Sequence, residues 1–523
     1  MFARGSRRFL KNAFVVLTWI PLAGCMVGPN FRPPPAPTVK SYTERPIAQK
    51  TASAPGKGGA SQHLVAGEDI PGQWWRLFHS KTLDALVRRA IAENPTIAAS
   101  QAALRQAREN LNARTASVFF PGVDGNFSAT RQKITGATSG LPNLGSTTYT
   151  LYNASVNVSY VFDLFGGERR ELEALRAQVD YQRFLLEGVH LTLTANVVTA
   201  AIQEASLRAQ VRAIEQIVAT QEKELQMVRR RFALGGSARS DVLAQRAQLA
   251  QTKATLPPLE KALAQTRDQL AVLSGRFPGK ASLPEFRLED LHLPRELPVS
   301  VPSSLVRLRP DIRASEALLH AAGANIGVAT ANLYPQISLT AGIGTNAIRI
   351  EDLFSPGASI WNLGMGIAQP IFHGGELLAK RRAAIVAYDR TFAQYRETVL
   401  LAFQNVADVL EALQTDARTL RAQAEAEAVA RASLDLTEKQ FQIGAASYLT
   451  LLNAQRQHQL ALIGLVQAQA TRFADTAALF QALGKGWWGN GGKCPVSGVD
   501  SGIDTAERPE VNSSSTKSTS REP

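Results

Sequence analysis

The sequence carries one long structural pattern twice, and this internal repetition constrains the fold more than any other feature. Pro95 and Pro310 each open a helical stretch that leads into two strand-like segments, a Gly-Gly pair and a very long run of helix-forming residues. The second copy follows the first by about 210 residues, a period too long for a solenoid repeat. A duplicated structural unit is therefore expected, at residues 81–300 and 301–488.

The first 24 residues have the pattern of a lipoprotein signal peptide. A basic start is followed by an apolar run from Ala13 to Ile20 and by small residues before Cys25. Acylation of Cys25 would anchor the processed chain in a membrane, and residues 25–80 would form the anchor and an extended linker. An ordinary signal peptide with an incidental cysteine is the alternative. Met26 follows the cysteine, which resembles the outer-membrane sorting pattern of bacterial lipoproteins.

Composition excludes some functions. The net charge is +13, but Lys and Arg are interleaved with Glu and Gln along helical stretches, which indicates solvated helix faces and not a nucleic-acid surface. After the signal, no continuous apolar stretch is long enough for a transmembrane helix. A membrane crossing would therefore use strands. The polar, low-complexity tail at 489–523 is expected to be disordered.

Four segments alternate between apolar residues and small or polar ones, which predicts β-strands at residues 123–130, 152–162, 337–344 and 361–368. Each is about the 9 to 11 residues that a tilted membrane strand needs. Alternation alone also suits a half-buried strand of a soluble sheet, but the lipoprotein signal and the small, uncharged second face favour a membrane sheet. Four strands cannot close a barrel, and an open edge is not viable in lipid, so the barrel must be shared between chains.

Connections between these strands are predicted from composition. The segments Arg131–Thr147 and Thr345–Ala358 are rich in Gly, Ser, Thr, Asn and Pro. Such segments are typical of loops. They are expected to be the two outward loops of the sheet.

Two long runs of helix-forming residues predict two very long helices. Residues Glu168–Phe232 and Glu376–Phe441 contain no proline and are dominated by strong helix formers, so each helix would reach about 100 Å. Each is expected to turn at glycine and return as a helix, over Asp241–Leu273 and Leu449–Leu483. Pro257-Pro258 must interrupt the first return helix. A plain coiled-coil spacer is the alternative interpretation of these hairpins.

Several motifs together resemble a known family. The lipoprotein signal followed by "VGPNFRPP", the paired Asn-Pro and Arg-Pro starts, the "DVL…Q" and "SYLTLLNAQR" hairpins and the terminal "LFQALGKGWW" are similar to outer-membrane efflux lipoproteins of the NodT and OprM type, in the TolC superfamily. The resemblance covers nearly all of the chain after the signal, up to Trp488. It implies a membrane α+β fold: a homotrimer whose four strands per chain complete a twelve-stranded outer-membrane β-barrel.

The resemblance also implies the rest of the assembly. An α-helical barrel would cross the periplasm, and a mixed equatorial region would combine segments near Trp74, residues Gly279–Val301 and the C-terminus. The partners implied are outer-membrane lipid, a periplasmic adaptor and an inner-membrane pump of the proton-driven RND class. The protein would be lipid-anchored at the cell outer membrane through Cys25.

Two groups of site residues follow from the resemblance. The hairpin tips, which would contact the adaptor, are Leu234, Gly235, Ser237, Ile443, Gly444 and Ser447. The periplasmic gate would comprise Leu449, Thr450, Asn453, Asp241 and Arg239. Relatives place carboxylates where this chain has Thr450 and Asn453. Helix capping is the alternative role for Asp241.

An enzyme is not indicated. The seven histidines are dispersed, and the sequence lacks HExxH, GxSxG, Walker A and clustered Cys/His motifs, so no catalytic residue, metal site or cofactor is expected. The predicted function is the outer-membrane duct of a tripartite efflux pump that passively exports small molecules such as drugs or toxic compounds. The alternatives are the duct of a protein-secretion system and a non-pore periplasmic spacer lipoprotein.

Overall fold

The computed structural model describes residues 26–68, 70–135 and 145–484. The predictions for the signal peptide, for Cys25 and for the tail at 489–523 lie outside these residues.

The first half of the described chain runs through a short strand, two helices, two long strands and a long helical hairpin. Its elements are β1 (His63–Ala66), α1 (Lys81–Glu93), α2 (Pro95–Phe119), β2 (Gly122–Ile134), β3 (Thr147–Phe162), α3 (Gly167–Ala233), α4 (Arg239–Ala254) and α5 (Leu256–Leu273).

The second half repeats the order of helix, two strands and helical hairpin. Its elements are β4 (Glu296–Val299), α6 (Pro302–Leu308), α7 (Pro310–Ala331), β5 (Gln336–Ala347), β6 (Ser359–Ala368), α8 (Glu376–Gln442) and α9 (Tyr448–Leu483). The order of elements predicted for the two copies is therefore present in the fold.

Local chemistry explains why α2 starts where the sequence motif predicts. Pro95 occupies the first turn of the helix, where a missing N–H costs no hydrogen bond. The Asn94 side chain accepts a 2.8 Å hydrogen bond from the Thr96 backbone N–H and so caps the same end. The amide of Asn94 also donates to the carbonyl of Leu273 at 2.9 Å, which fixes the start of α2 against the end of the first hairpin.

The four long strands form one antiparallel sheet in the order β2-β3-β5-β6. The strands contain 13, 16, 12 and 10 residues, so all four are longer than the predicted ranges. Strand pairing continues to Ile134 opposite Thr147, so both ends of the first predicted loop belong to strands. In the same way β5 extends to Ala347 and shortens the second predicted loop. The predicted loops were too long because polar residues continue the ladder beyond the alternating core.

The register aligns the apolar faces of all four strands. Val156 of β3 lies opposite Gly125 of β2 and Ile343 of β5, and Ile343 in turn lies opposite Trp361 of β6. The other face is small and polar: Asn157 pairs with Gly342, which pairs with Asn362. A cross-strand side-chain hydrogen bond on that face joins Asn153 to Asn346 at 2.6 Å. The sheet therefore has one continuous apolar face and one continuous polar face.

Two helices of 67 residues each, α3 and α8, lead away from the sheet. At 1.5 Å per residue, each is about 100 Å long. The first return path is broken at Thr255, between α4 and α5, because Pro257 and Pro258 lack backbone donors and are accommodated only in the first turn of a new helix. The second return helix, α9, runs unbroken over 36 residues. The break predicted from the proline pair is confirmed.

The main hydrophobic core lies part-way along the helices. Trp74, which is 1% exposed, stacks on Phe480 of α9 with ring centroids 5.3 Å apart. Beside it, β1 pairs in parallel with β4, and Leu64 lies opposite Leu297. Part of the predicted linker therefore belongs to this core, including Leu64, Ile70, Trp74 and Phe78. Sequence patterns missed the two strands because each is only four residues long.

One described helix, α3, contains an 18-residue window with a mean hydropathy of 1.4, apolar enough by composition to cross a membrane. The sequence had predicted that no apolar stretch after the signal is long enough for a transmembrane helix. In the structure 67% of that window is buried inside the protein, so its apolar residues serve helix packing.

Candidate functional site

The two hairpin tips lie at the ends of α3 and α8 farthest from the sheet. Gly235 and Gly444 both have positive φ angles, of 76° and 80°, which glycine adopts without steric cost. Their neighbours Leu234 and Ile443 are 87% and 81% exposed. Each tip thus presents one large apolar side chain to solvent beside a tight turn, in the same arrangement in both halves.

The two serines predicted at the tips have structural contacts. The Ser447 hydroxyl accepts a 3.2 Å hydrogen bond from the Thr450 backbone N–H and caps α9. The Ser237 hydroxyl donates to the carbonyl of Val228 at 3.3 Å and closes the first turn. Both residues therefore shape the tips through these contacts.

The predicted gate residues of α9 lie on its exposed side. Leu449 is 66% exposed, and Asn453, one helical turn later, is also exposed. Residues four apart share a helix face. Thr450 is exposed as well, and its hydroxyl hydrogen-bonds with that of Ser447 at 2.8 Å. Leu449 and Asn453 therefore form a face that this chain does not cover.

Asp241 and Arg239 do not form an ion pair among the described residues. Asp241 instead accepts a 3.1 Å hydrogen bond from the backbone N–H of Ala238 at the start of α4. This is the capping role that the sequence left open as the alternative. Arg239 is exposed. The role of these two residues in the gate, as links between neighbouring helices, remains a prediction.

A half-buried carboxylate joins the two hairpins close to the tips. Glu224 of α3 accepts hydrogen bonds from Gln455 of α9 at 2.6 Å and from Gln245 of α4 at 3.0 Å. The Gln245 amide nitrogen also donates to the Gln221 carbonyl at 3.1 Å, and its oxygen accepts from the Tyr448 hydroxyl. We call these five residues the Glu224 hub. The hub joins helices from both halves of the chain. One of its residues, Tyr448, directly precedes Leu449 of the predicted gate.

Burial controls the electrostatics of the hub. It raises the pKa of the Glu224 carboxyl, an effect that the two amide donors oppose and the neighbouring Glu438 reinforces. Burial also raises the pKa of Tyr448, helped by the negative charges of Glu224 and Asp241. The tyrosine therefore remains a neutral hydrogen-bond donor over the physiological range.

Apolar packing surrounds the hub. Val228, Leu451 and Leu452 are each less than 10% exposed and form a small separate core with Tyr448. The Phe441 ring packs against Tyr448, with centroids 5.3 Å apart. This cluster is distinct from the main core. The hub and this cluster share Tyr448, and together they join the two hairpins near the tips.

Sequence patterns missed the hub, although a signal was present. Gln221, Leu225 and Val228 recur at spacings of four and three along one buried stripe of α3, and Gln245, Leu249 and Thr252 do so along α4. A polar residue within such an apolar stripe needs a hydrogen-bond partner. That partner is on another element, and a single sequence does not show which.

A second polar cluster lies beside the main core. The Asp416 carboxyl contacts Asp475, and burial together with this hydrogen bond raises the pKa of Asp416 to about 7. Arg472, which is fully buried, partly opposes the shift and donates to the Thr51 hydroxyl at 3.1 Å and the Ala60 carbonyl at 2.8 Å. The cluster therefore holds the N-terminal segment on α9 and retains a proton near neutral pH.

The raised pKa of Asp416 predicts a pH-dependent stability. Because the folded state holds this proton up to about pH 7, whereas an unfolded aspartate releases it near pH 4, the free energy of unfolding falls as pH rises between these values. Asp416→Asn should therefore unfold at a higher temperature than the wild type at pH 8.5 and at a similar temperature at pH 4. Thermal unfolding at both pH values measures this. Asp389→Asn, an exposed change on the same helix, should alter neither temperature.

The fold and the site define a class of protein. A sheet with a continuous apolar face, mounted on 67-residue helices with exposed tips, is suited to a membrane channel with a long helical extension.

Comparison with known proteins identifies the family. The model of the outer membrane efflux protein family matches residues 86–276 and 301–485, once in each half. The pyoverdine export outer membrane protein OpmQ of Pseudomonas aeruginosa is 31% identical over 82% of this chain and 90% of its own length. The outer-membrane channel OprN has a TM-score of 0.78 with 27% identity, and the match covers 88% of this chain and all of OprN. The open state of the MtrE channel of Neisseria gonorrhoeae has a TM-score of 0.75 with 26% identity, over 88% of this chain and 99% of MtrE.

The chain therefore belongs to the outer membrane efflux protein family, and it is the outer-membrane channel component of an efflux pump. Proteins of this family are channels, in agreement with the prediction that the chain is not an enzyme. The predicted family resemblance, outer-membrane location and efflux function are confirmed. Its gate, its tips and its lipid anchor remain predictions.

Proposed function

We propose that three copies of this chain form a closed, twelve-stranded barrel in the outer membrane, continued by an α-helical duct in the periplasm. The observation that carries the proposal is the four-stranded sheet: β2 and β6 are its edges and have no second strand partner within the described residues. An edge exposed to lipid would leave backbone groups without hydrogen bonds. Pairing β6 of one copy with β2 of the next satisfies them, and the duplicated halves supply equivalent walls.

The transported material is proposed to be small molecules that pass without chemical change. OpmQ is named for pyoverdine export, and TtgC of Pseudomonas putida, 30% identical to this chain, is named as an efflux pump outer membrane protein. A water-filled duct lined by the small polar face of the sheet selects little, so the substrate would be chosen by an inner-membrane pump. A periplasmic adaptor would join that pump to the duct.

The lipid anchor at Cys25 fits the position of the first described residues. The backbone N–H of Val27 donates to the carbonyl of Phe165 at 3.1 Å, immediately after β3. Met26 lies against Gly166, at the junction between β3 and α3. A lipid on the preceding residue would therefore enter the bilayer at the base of the sheet, where the barrel itself meets the membrane.

Conductance tests the duct. The purified protein in a planar bilayer is expected to give discrete, low-conductance openings, because three copies of Leu449 and Asn453 are proposed to constrict the duct around the symmetry axis. Leu449→Ala should raise the resting conductance. Asn453→Asp should increase block by trivalent cations from the periplasmic side, since three carboxylates bind a multivalent cation and three neutral amides lack the charge.

The alternatives predict different results, either in the conductance experiment or in drug susceptibility after deletion of the gene. A spacer lipoprotein without a pore would give no conductance in any variant. A protein-secretion duct would conduct but would leave drug susceptibility unchanged when its gene is deleted. Equal conductance and equal block in the two mutants would place the constriction at other residues.

The tips are proposed to bind the adaptor, which yields a separate prediction. Replacing Gly235 or Gly444 by valine places a β-branched residue at positive φ, where it is strained, although open space surrounds both positions. The turn should rearrange and displace Leu234 or Ile443. Adaptor cross-linking is expected to fall several-fold while the trimer stays intact. Gly357→Val serves as the control, because Gly357 lies in open space beyond the sheet and has no positive φ. Wild-type cross-linking by both tip variants would contradict the proposal.

A further inference from the structure

A cavity of about 560 Å³ lies at the junction between the sheet and the helices. Its size is within the range of small-ligand sites. The lining combines apolar side chains with polar and charged ones, which include three arginines and one carboxylate: Met26, Asn30, Phe31, Phe119, Arg169, Arg170, Leu172, Glu173, Arg176 and His320. Neither the gate nor the tips use this cavity, which lies at the opposite end of the long helices.

The N-terminal segment forms one firmly attached wall of the cavity. Arg170, 1% exposed, donates to the backbone carbonyls of Val27 and Gly28 at 3.1 and 3.2 Å and to the Asn30 side chain at 2.8 Å. Gly28 crosses α7 so closely that a Cβ on it would lie 2.5 Å from the Cα of Gly327. These contacts fix the segment, so the cavity is a built feature and not a gap under a loose chain.

The charges around the cavity leave a positive excess. Arg170 pairs with Glu173 at 2.7 Å, and Arg169 pairs with Asp163 at 3.1 Å. Arg176 is exposed, and no carboxylate pairs with it in the part of the chain that the structure describes. An anionic group bound at the rim would therefore meet an uncompensated guanidinium, which binds phosphate through two parallel hydrogen bonds.

The position of the cavity relative to the membrane follows from the exposed apolar residues near it. Phe119 and Phe120, 57% and 69% exposed, directly precede β2. Ile371 and Phe372, 93% and 86% exposed, follow β6 at the same end of the sheet. Apolar and aromatic residues at the end of a membrane sheet mark the level of the lipid headgroups. The cavity is therefore level with the periplasmic surface of the bilayer.

We propose that this cavity binds an anionic phospholipid from the periplasmic leaflet of the outer membrane. Its phosphate would face Arg176 and Arg169, and one acyl chain would lie along Met26 and Phe119. The inference rests on the membrane placement given under the proposed function. Acyl chains attached to Cys25 are a different occupant. They are uncharged and would leave the cationic rim without a partner, so the charge favours the free phospholipid.

Native mass spectrometry of the full, lipidated trimer tests the proposal. Phosphatidylglycerol added to the detergent solution should bind up to three molecules per trimer, and Arg176→Glu should weaken this binding by about tenfold. Arg176→Gln, which removes the charge without reversing it, should weaken binding by a smaller factor. Arg229→Glu changes an exposed arginine on the same helix far from the cavity and should bind as the wild type does. Equal binding by the Arg176 and Arg229 variants, or equal affinity for phosphatidylcholine, would overturn the proposal.

Two further measurements identify the occupant and separate this proposal from the duct function. If phosphatidylglycerol binds equally to the wild type and to Cys25→Ser, the cavity takes free phospholipid; binding seen only in Cys25→Ser would assign it to the chain's own acyl groups and overturn the proposal. Arg176→Glu should keep wild-type conductance. Absence of conductance in the wild type would instead contradict the proposed duct and leave the lipid titration to be judged on its own result.

Discussion

Replacing Ile343 by arginine should prevent assembly of the outer-membrane trimer. Ile343 is 64% exposed in the single chain and lies in the middle of the apolar face, between Val156 and Trp361. An arginine facing lipid near the bilayer midplane costs about 2–4 kcal/mol, and a trimer would incur this cost three times. The expected result is loss of heat-resistant trimer from outer-membrane fractions, measured by semi-native electrophoresis.

The matched control is Thr340→Arg on the same strand. Thr340 lies on the polar face, opposite Ser159 and Gly364, so an arginine there would point into water. We expect normal trimer yields and an altered ion selectivity of the channel. If both variants assembled equally well, the apolar face would not be the lipid-facing one.

Removing the Glu224 carboxylate should loosen the far end of the duct. In Glu224→Leu the amides of Gln245 and Gln455 lose their shared acceptor, and each hydrogen bond to a charged group contributes about 1.5–3 kcal/mol. Because the hub joins both hairpins beside the proposed constriction, the resting conductance is expected to rise several-fold. Single-channel recording measures it. Glu224→Gln retains one acceptor and should give an intermediate value.

The control for this change is close in sequence and chemically matched. Glu222 of the same helix pairs with Lys253 at 2.5 Å, but both side chains are about half exposed. Exposed ion pairs contribute little, so Glu222→Leu should leave the conductance unchanged. A rise in conductance in both variants would show a general effect of lost charge, and a rise in neither would remove the hub from gating.

Much of the fold could be predicted because its signals are local and long. Alternation along the strands predicted which residues share the apolar face and which share the polar face. The proline-free runs before Gly235 and Gly444 predicted the ends of the two long helices to within two residues. The prolines at 257 and 258 gave the helix break. The short strands β1 and β4 could not be predicted, since four residues carry no usable period and the two paired strands lie far apart in the sequence.

The candidate site was predictable only in part. The tip glycines follow from turn chemistry, and the exposed face of Leu449 and Asn453 follows from their spacing. Glu224 could not be assigned, because its partners Gln245 and Gln455 are 21 and 231 residues away along the chain. A polar contact at such separation depends on how three helices pack. One sequence fixes the helices without fixing their packing partners.

The equal length of α3 and α8 has a geometric consequence for any partner. Both helices contain 67 residues and start from the same end of the sheet, so Gly235 and Gly444 stand at nearly the same height. In a trimer the six tips would form a level rim with approximate sixfold symmetry, in which two chemically different positions alternate. A ring of six identical subunits could meet this rim without tilting, and each subunit would occupy one of two slightly different environments. Inserting one helical turn, about 5.4 Å, into only one of the helices would leave three tips out of reach.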